Sequence, residues 1–80
     1  MAAIEEFPVP KSYEQALKVL GAAPEASVAA IKRIVDGLRQ NWHPDHASSE
    51  PDRIYRERRL QQINAAWDIV AKQRAAATAA

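Results

Sequence analysis

Apolar residues recur at helical spacing in three stretches of the chain, with polar residues between them. Tyr13, Leu17 and Leu20 share one face of a short run. Val28, Ile31, Val35, Leu38 and Trp42 advance by threes and fours in a second, and Leu60, Ile63, Trp67 and Val70 do so in a third. Such intervals match a 3.6-residue period and give each run one apolar stripe, so three amphipathic helices are expected. Start and stop signals bracket them. Ser12 with Gln15 three residues on has capping-box spacing, and Gly21 followed by Pro24 closes the run, which sets the first helix at about Tyr13 to Leu20. Ser27 is a second N-cap. Ser49-Glu50-Pro51-Asp52 supplies a hydroxyl, acids and proline where a helix start favours them, and the third helix is expected from about Asp52.

These stripes imply an all-α fold: an antiparallel hairpin of two longer helices with the short first helix packed across it. Trp42 and Trp67 lie on the stripes and are expected in the core. Gly37 interrupts the second helix at a cost of about 1 kcal/mol relative to alanine, so either a neighbour approaches closely there or the loss is tolerated. Phe7-Pro8-Val9-Pro10 favours an extended lead-in or linker over residues 1–11, with Phe7 either docked on the domain or ending a linker. Residues 12–74 form the domain. Residues 75–80 are an alanine-rich tail expected to extend the third helix and fray.

Between the second and third runs stands His43-Pro44-Asp45. Pro44 has no amide hydrogen and biases the preceding residue away from helical angles, so the second helix should close at about Trp42 or His43. An imidazole and a carboxylate are then left exposed on a stiffened connection.

Composition narrows the function classes. Eighty residues, 48% apolar and 26% charged, fit one globular domain that buries little of its surface. The absence of cysteine removes disulfides, thiolate metal sites and cysteine nucleophiles, and fits a cytosolic protein. The opening Met1-Ala2-Ala3-Ile4-Glu5-Glu6 lacks the basic and apolar regions of a signal peptide, and no long apolar run is present, so neither export nor membrane insertion is expected. A formal charge of +1 hides a mild asymmetry: Lys11 and Lys18 are the only basic residues before Lys32.

Other chemistries find less support in the same residues. Arg53 and Arg56-Glu57-Arg58-Arg59 suggest a nucleic-acid surface, and a three-helix DNA-binding module is the rival from another class. Nearly balanced charge and the lack of interleaved aromatics favour a solvated helix start instead. His43, Asp45 and His46 lie too close together on one turn to converge on a metal ion, and no fourth ligand is signalled. No phosphate loop or nucleophile-base-acid set occurs, and so short a chain is expected to leave no room for a pocket of ordinary size. Neither enzyme activity nor a cofactor is expected.

The tripeptide and its surroundings resemble the J-domain of DnaJ-type co-chaperones over roughly Ser12 to Val70. Leu17-Lys18-Val19-Leu20-Gly21 is similar to the end of that family's first helix. Ile31-Lys32-Arg33 with Leu38 and Trp42 is similar to its second, and Leu60-Gln61-Gln62-Ile63-Asn64-Ala65-Ala66-Trp67 to its third. The resemblance implies a single-chain module that binds a DnaK-type chaperone ATPase (heat shock protein 70 class) through His43, Pro44 and Asp45 and stimulates its ATP hydrolysis. Lys32, Arg33 and Arg39 would be further partner contacts, and clients would be held by domains outside this chain. The chain departs from the family pattern at Asp36-Gly37, where a basic pair is usual, at Val35, where an aromatic is common, and in a short fourth helix that looks truncated or missing. Asp36 has pairing distance to Lys32 and Arg39 and should partly neutralise both. A degenerate docking module without ATPase stimulation is therefore the alternative within this fold.

Overall fold

A computed structural model describes residues 7–78 and contains α1 (Tyr13–Leu20), α2 (Val28–Asn41), a short 3₁₀ turn (Pro44–His46) and α3 (Glu50–Thr78). No strand occurs among the described residues. The lead-in expected over residues 1–6 and the last two residues of the tail lie outside them.

The helix starts follow their caps, with one variation. Ser12, Ser27 and Ser49 each accept an amide N–H three residues ahead, at 3.1, 3.1 and 3.2 Å. In an ordinary capping box the side chain three residues on would return to the N-cap amide. Here Gln15 and Asp52 reach one residue further back and accept the N–H groups of Lys11 at 2.8 Å and Ser48 at 3.0 Å. Each bond ties the approaching chain to its helix. α1 ends as expected: Gly21 takes φ 69°, its N–H donates to the Lys18 carbonyl, and Ala22 N–H donates to that of Leu17. Gly37 is exposed, and a Cβ there would meet nothing within 4 Å, so the site tolerates glycine rather than needing it.

α3 begins two residues earlier than expected and runs 29 residues. A helix of that length spans about 44 Å, nearly the whole 46 Å long axis of the molecule. The tail continues it to Thr78, and no separate fourth helix follows among the described residues. Three hydrogen bonds show how α2 lies against α3. Arg56 Nη1 donates to the Asn41 carbonyl, Arg39 Nε to Asn64 Oδ1, and Arg74 Nη2 to the Ala26 carbonyl, all at 2.9 Å. As the α3 partner moves later, its counterpart moves earlier, so the pair is antiparallel. α1 packs mainly on α3 and only marginally on α2.

The core joins Ala16, Leu17 and Leu20 of α1, Ile31 and Val35 of α2, and Ile63, Ala66 and Val70 of α3. Part of the expected stripes lies at its rim. Val28, at the first helical position, is 42% exposed. Trp67 is half-buried rather than enclosed, as are Leu38, Trp42 and Leu60. The reason is that α3 meets both other helices, so its buried arc is centred on Ile63, Ala66 and Val70, with Leu60 and Trp67 at one edge. At the end away from the turn, Arg74 donates to Tyr13 Oη at 2.7 Å and to the Pro24 and Ala26 carbonyls at 3.0 and 2.9 Å. One guanidinium thereby ties α1, the α1–α2 loop and α3 together.

Candidate functional site

The hairpin apex is built almost entirely from its own hydrogen bonds. α2 closes at Asn41, where Trp42 N–H donates to the Leu38 carbonyl at 2.9 Å and Arg56 covers the Asn41 carbonyl. A cation at this end also suits the helix dipole. His43 takes φ −60° and ψ 133°, the extended geometry that a following proline demands, and Pro44 opens the 3₁₀ turn. His46 N–H then donates to the His43 carbonyl at 3.0 Å and Ala47 N–H to that of Pro44 at 2.9 Å. With Asp45 N–H on His43 Nδ1 and Ser48 N–H on Asp52, each amide from Trp42 to Ser48 has an acceptor, Pro44 having none to place. This connection therefore offers a partner its side chains rather than its backbone donors.

The bond from Asp45 N–H to His43 Nδ1, 3.1 Å long, assigns the proton of the neutral imidazole to Nε2. The same Nδ1 is 3.5 Å from Asp45 Oδ2. The Asp45 side chain is 88% exposed, and that of His43 is 53% exposed. Pro44, between them in sequence, is half-buried. The apex thus presents an exposed carboxylate beside an imidazole whose Nε2–H is available as a donor, on a backbone that is already hydrogen-bonded.

The three cations expected to accompany the turn are placed differently from one another. Lys32 pairs with Asp36 at 2.7 Å, and Arg39 approaches the same carboxylate at 3.8 Å. Arg39 also donates to Asn64, so it ties α2 to α3 while remaining partly exposed. Arg33 is exposed on the face of α2 away from the core stripe and has no polar partner among the described residues. Lys32, Asp36 and Arg39 form one surface, and Arg33 belongs to another.

The arginine run at the start of α3 is largely engaged within the fold. Arg53 pairs with Glu50 and with Glu57, the latter at 2.7 Å, and Arg56 with Asp52 at 3.1 Å. Arg59 donates to Gln62 and lies 5.6 Å from the ring centroids of both Phe7 and Trp42. Burial holds the Arg59 pKa below its ordinary value. The expected solvated helix start is, for Arg56 and Arg59, a set of half-buried ties. Only Arg58 in this run has no polar partner among the described residues.

The expectation about pockets needs correction. A groove of about 600 Å³ lies between the lead-in and α1, with Lys11, Lys18, Gln15 and Gln62 among its lining. It arises because the extended lead-in stands beside α1 instead of leaving the domain, and its lining holds no acid, histidine or serine. No group of three or more His, Asp or Glu side chains among the described residues is placed to hold a metal ion. No helix among them is long and apolar enough to cross a membrane.

Sequence reasoning singled out the tripeptide and missed the cluster behind it. Phe7, Trp42 and Tyr55 meet with centroids 5.7, 4.9 and 5.8 Å apart, and Gln62 donates to the Pro8 carbonyl at 2.9 Å. No family model, curated protein or solved structure matches the chain.

Proposed function

We propose that this chain is a J-domain-type co-chaperone module that acts in the cytoplasm, binding a DnaK-type chaperone ATPase and promoting its ATP hydrolysis. The observation that carries the proposal is the exposed, internally hydrogen-bonded His43-Pro44-Asp45 turn at the apex of an antiparallel helical hairpin. In this reading Asp45 accepts paired hydrogen bonds from a partner arginine, His43 donates through Nε2, and Pro44 keeps the two in register. Lys32, Arg33 and Arg39 add positive potential that steers an acidic partner surface toward the turn. The chain breaks no substrate bond itself; the chemistry is the partner's.

One observation favours the narrower reading of a docking module without ATPase stimulation. Asp36 lies against Lys32 and near Arg39, and so weakens the field on that face of α2. Single-turnover ATP hydrolysis by the DnaK-type chaperone of the same organism separates the readings. Stimulation by the wild-type domain and its loss in His43→Gln, with helical content and thermal unfolding unchanged, is the expected result. Binding without acceleration marks the docking module, and equal stimulation by mutant and wild type removes the tripeptide from the mechanism. A salt-dependent DNA shift assay tests the nucleic-acid alternative, against which the internal engagement of Arg53, Arg56 and Arg59 counts.

A further inference from the structure

Trp42 is the last residue before the turn, and its conformation, φ −101° and ψ 12°, directs the chain out of α2 into His43. It lies at the rim of the aliphatic core, where a half-buried side chain retains freedom unless something else holds it. What holds it comes from the far end of the chain. The Phe7 ring meets the indole edge-on at 5.7 Å, Tyr55 lies 5.8 Å away, and the Arg59 guanidinium stands 5.6 Å from both the Phe7 and Trp42 centroids.

We infer that Phe7 and Arg59 are positioning residues for the His43-Pro44-Asp45 turn: residues 7–12 form a strap that fixes Trp42 and, through it, the placement of His43.

Three observations support the strap. It is fastened, because Gln62, only 6% exposed, donates to the Pro8 carbonyl while its own carbonyl accepts from Arg59. It is short. From Phe7 beside Arg59 to Tyr13 beside Arg74 the lead-in advances six residues, at most about 22 Å, close to the roughly 22 Å that α3 rises between those arginines. It is stiff, since Pro8 and Pro10 both restrict the backbone and Pro10 is buried. The position of Arg59 is also unusual in one respect. Its Nε is buried without a hydrogen-bond partner among the described residues, so the guanidinium is held against the rings at the cost of one donor.

The consequence for binding rests on the proposed function, whereas the consequence for the turn does not. Nuclear magnetic resonance of the ¹⁵N-labelled full chain reads the turn directly. Phe7→Ala should shift the amide resonances of Trp42, His43 and Asp45 and speed exchange of the His46 and Ala47 amides by roughly three- to tenfold, the worth of one or two edge-on ring contacts. Exchange at Ile63 and Val70 should stay at the wild-type rate, and Phe7→Tyr should restore the turn. Arg59→Lys keeps the charge and leaves Phe7 in place; it should give the same pattern and serves if Phe7→Ala fails to fold. In the ATPase assay, the concentration of domain needed for half-maximal stimulation should rise by a similar factor. Turn resonances unchanged in the folded variants, or exchange accelerated equally at the core and the turn, would overturn the inference. A wild-type domain that stimulates nothing removes the proposed function and leaves the amide readout to decide the strap.

Discussion

The two ends of the helical hairpin are held in different ways. Away from the turn, aliphatic side chains from three helices are fully buried, and Arg74 secures the rim with hydrogen bonds to Tyr13, Pro24 and Ala26. At the turn, Phe7, Trp42 and Tyr55 meet an arginine, and none of the four is fully buried. The first arrangement removes apolar surface from water and provides most of the stability. The second has little burial to spend, because His43 and Asp45 must remain in solvent, and it relies on directional ring and guanidinium contacts to hold position. Stability and presentation are thus separated along the hairpin, and substitutions should act differently at its two ends.

The largest expected effect lies in the aliphatic region. Ile63→Ala removes a fully buried side chain between α1, α2 and α3 and should cost about 2–5 kcal/mol in urea denaturation, much of the stability of so small a domain. Trp67→Ala removes more atoms from the rim and should cost less, about 2 kcal/mol, because part of the indole already meets water. A larger loss for Trp67 than for Ile63 would mean that the buried arc of α3 is centred elsewhere. Arg74→Met should follow at about 1–3 kcal/mol, since two loop carbonyls and the Tyr13 hydroxyl lose their donor. A denaturation midpoint unchanged in Arg74→Met would remove that residue from the account of the rim.

The same division decides what could be read before folding. Helix positions were legible because Ser12, Ser27, Ser49, Gly21 and Pro44 act within four residues of themselves, and the structure uses each near where its chemistry points. The exposed tripeptide was legible for the same reason. Trp67 was placed too deep, because a stripe gives the direction of a helix face but not the width of the arc that two neighbours cover. The strap was legible only as one of two readings, Phe7 docked on the domain or ending a linker, and what it docks on was not legible. Phe7 stands in a proline-rich stretch without periodicity, and its partners are 35 to 52 residues away in sequence. Arg59 and Arg74 look like members of charge runs, and only the fold shows that one stacks on rings and the other binds carbonyls across a separation of about 50 residues.

Acid should distinguish the ends as well. Hydrogen bonds, first from the Ser48 amide and then from Arg56, hold the Asp52 carboxyl below the usual aspartate range, and Arg53 does the same for Glu50. A carboxylate whose folded pKa is depressed contributes stability that is complete above its unfolded value, about pH 4, and is lost as pH falls through the folded value. Both groups lie at the start of α3. Acidification below about pH 4 should therefore speed hydrogen exchange at Ser48 and Asp52 before Val70, and Asp52→Asn should make the Ser48 amide less sensitive to pH over that range. Simultaneous acceleration at Val70 would show that the ends do not open separately.

The smallest effect on stability, and the one that bears most on partner choice, is expected at Asp36. Its carboxylate lies 2.7 Å from Lys32 Nζ and 3.8 Å from Arg39 Nη1, on a helix face where all three side chains are 38–51% exposed. Pairs of this kind are worth only a few tenths of a kcal/mol each, so Asp36→Lys should cost less than about 1 kcal/mol. Its electrostatic consequence is larger than its structural one. The substitution changes local charge by two units and turns a surface of mixed sign into one that is wholly positive between Lys32 and Arg39. If that surface faces an acidic chaperone, association should quicken several-fold at low salt, and most of the gain should vanish near physiological ionic strength, where the screening length is about 8 Å. Dissociation should change less, because exposed charges act chiefly on encounter. Surface plasmon resonance across a salt series measures both rates. An association rate that is unchanged or slower at low salt, in a variant whose helical content matches wild type, would mean that the partner meets the apex without meeting this face of α2, leaving Lys32 and Arg39 as fold contacts alone.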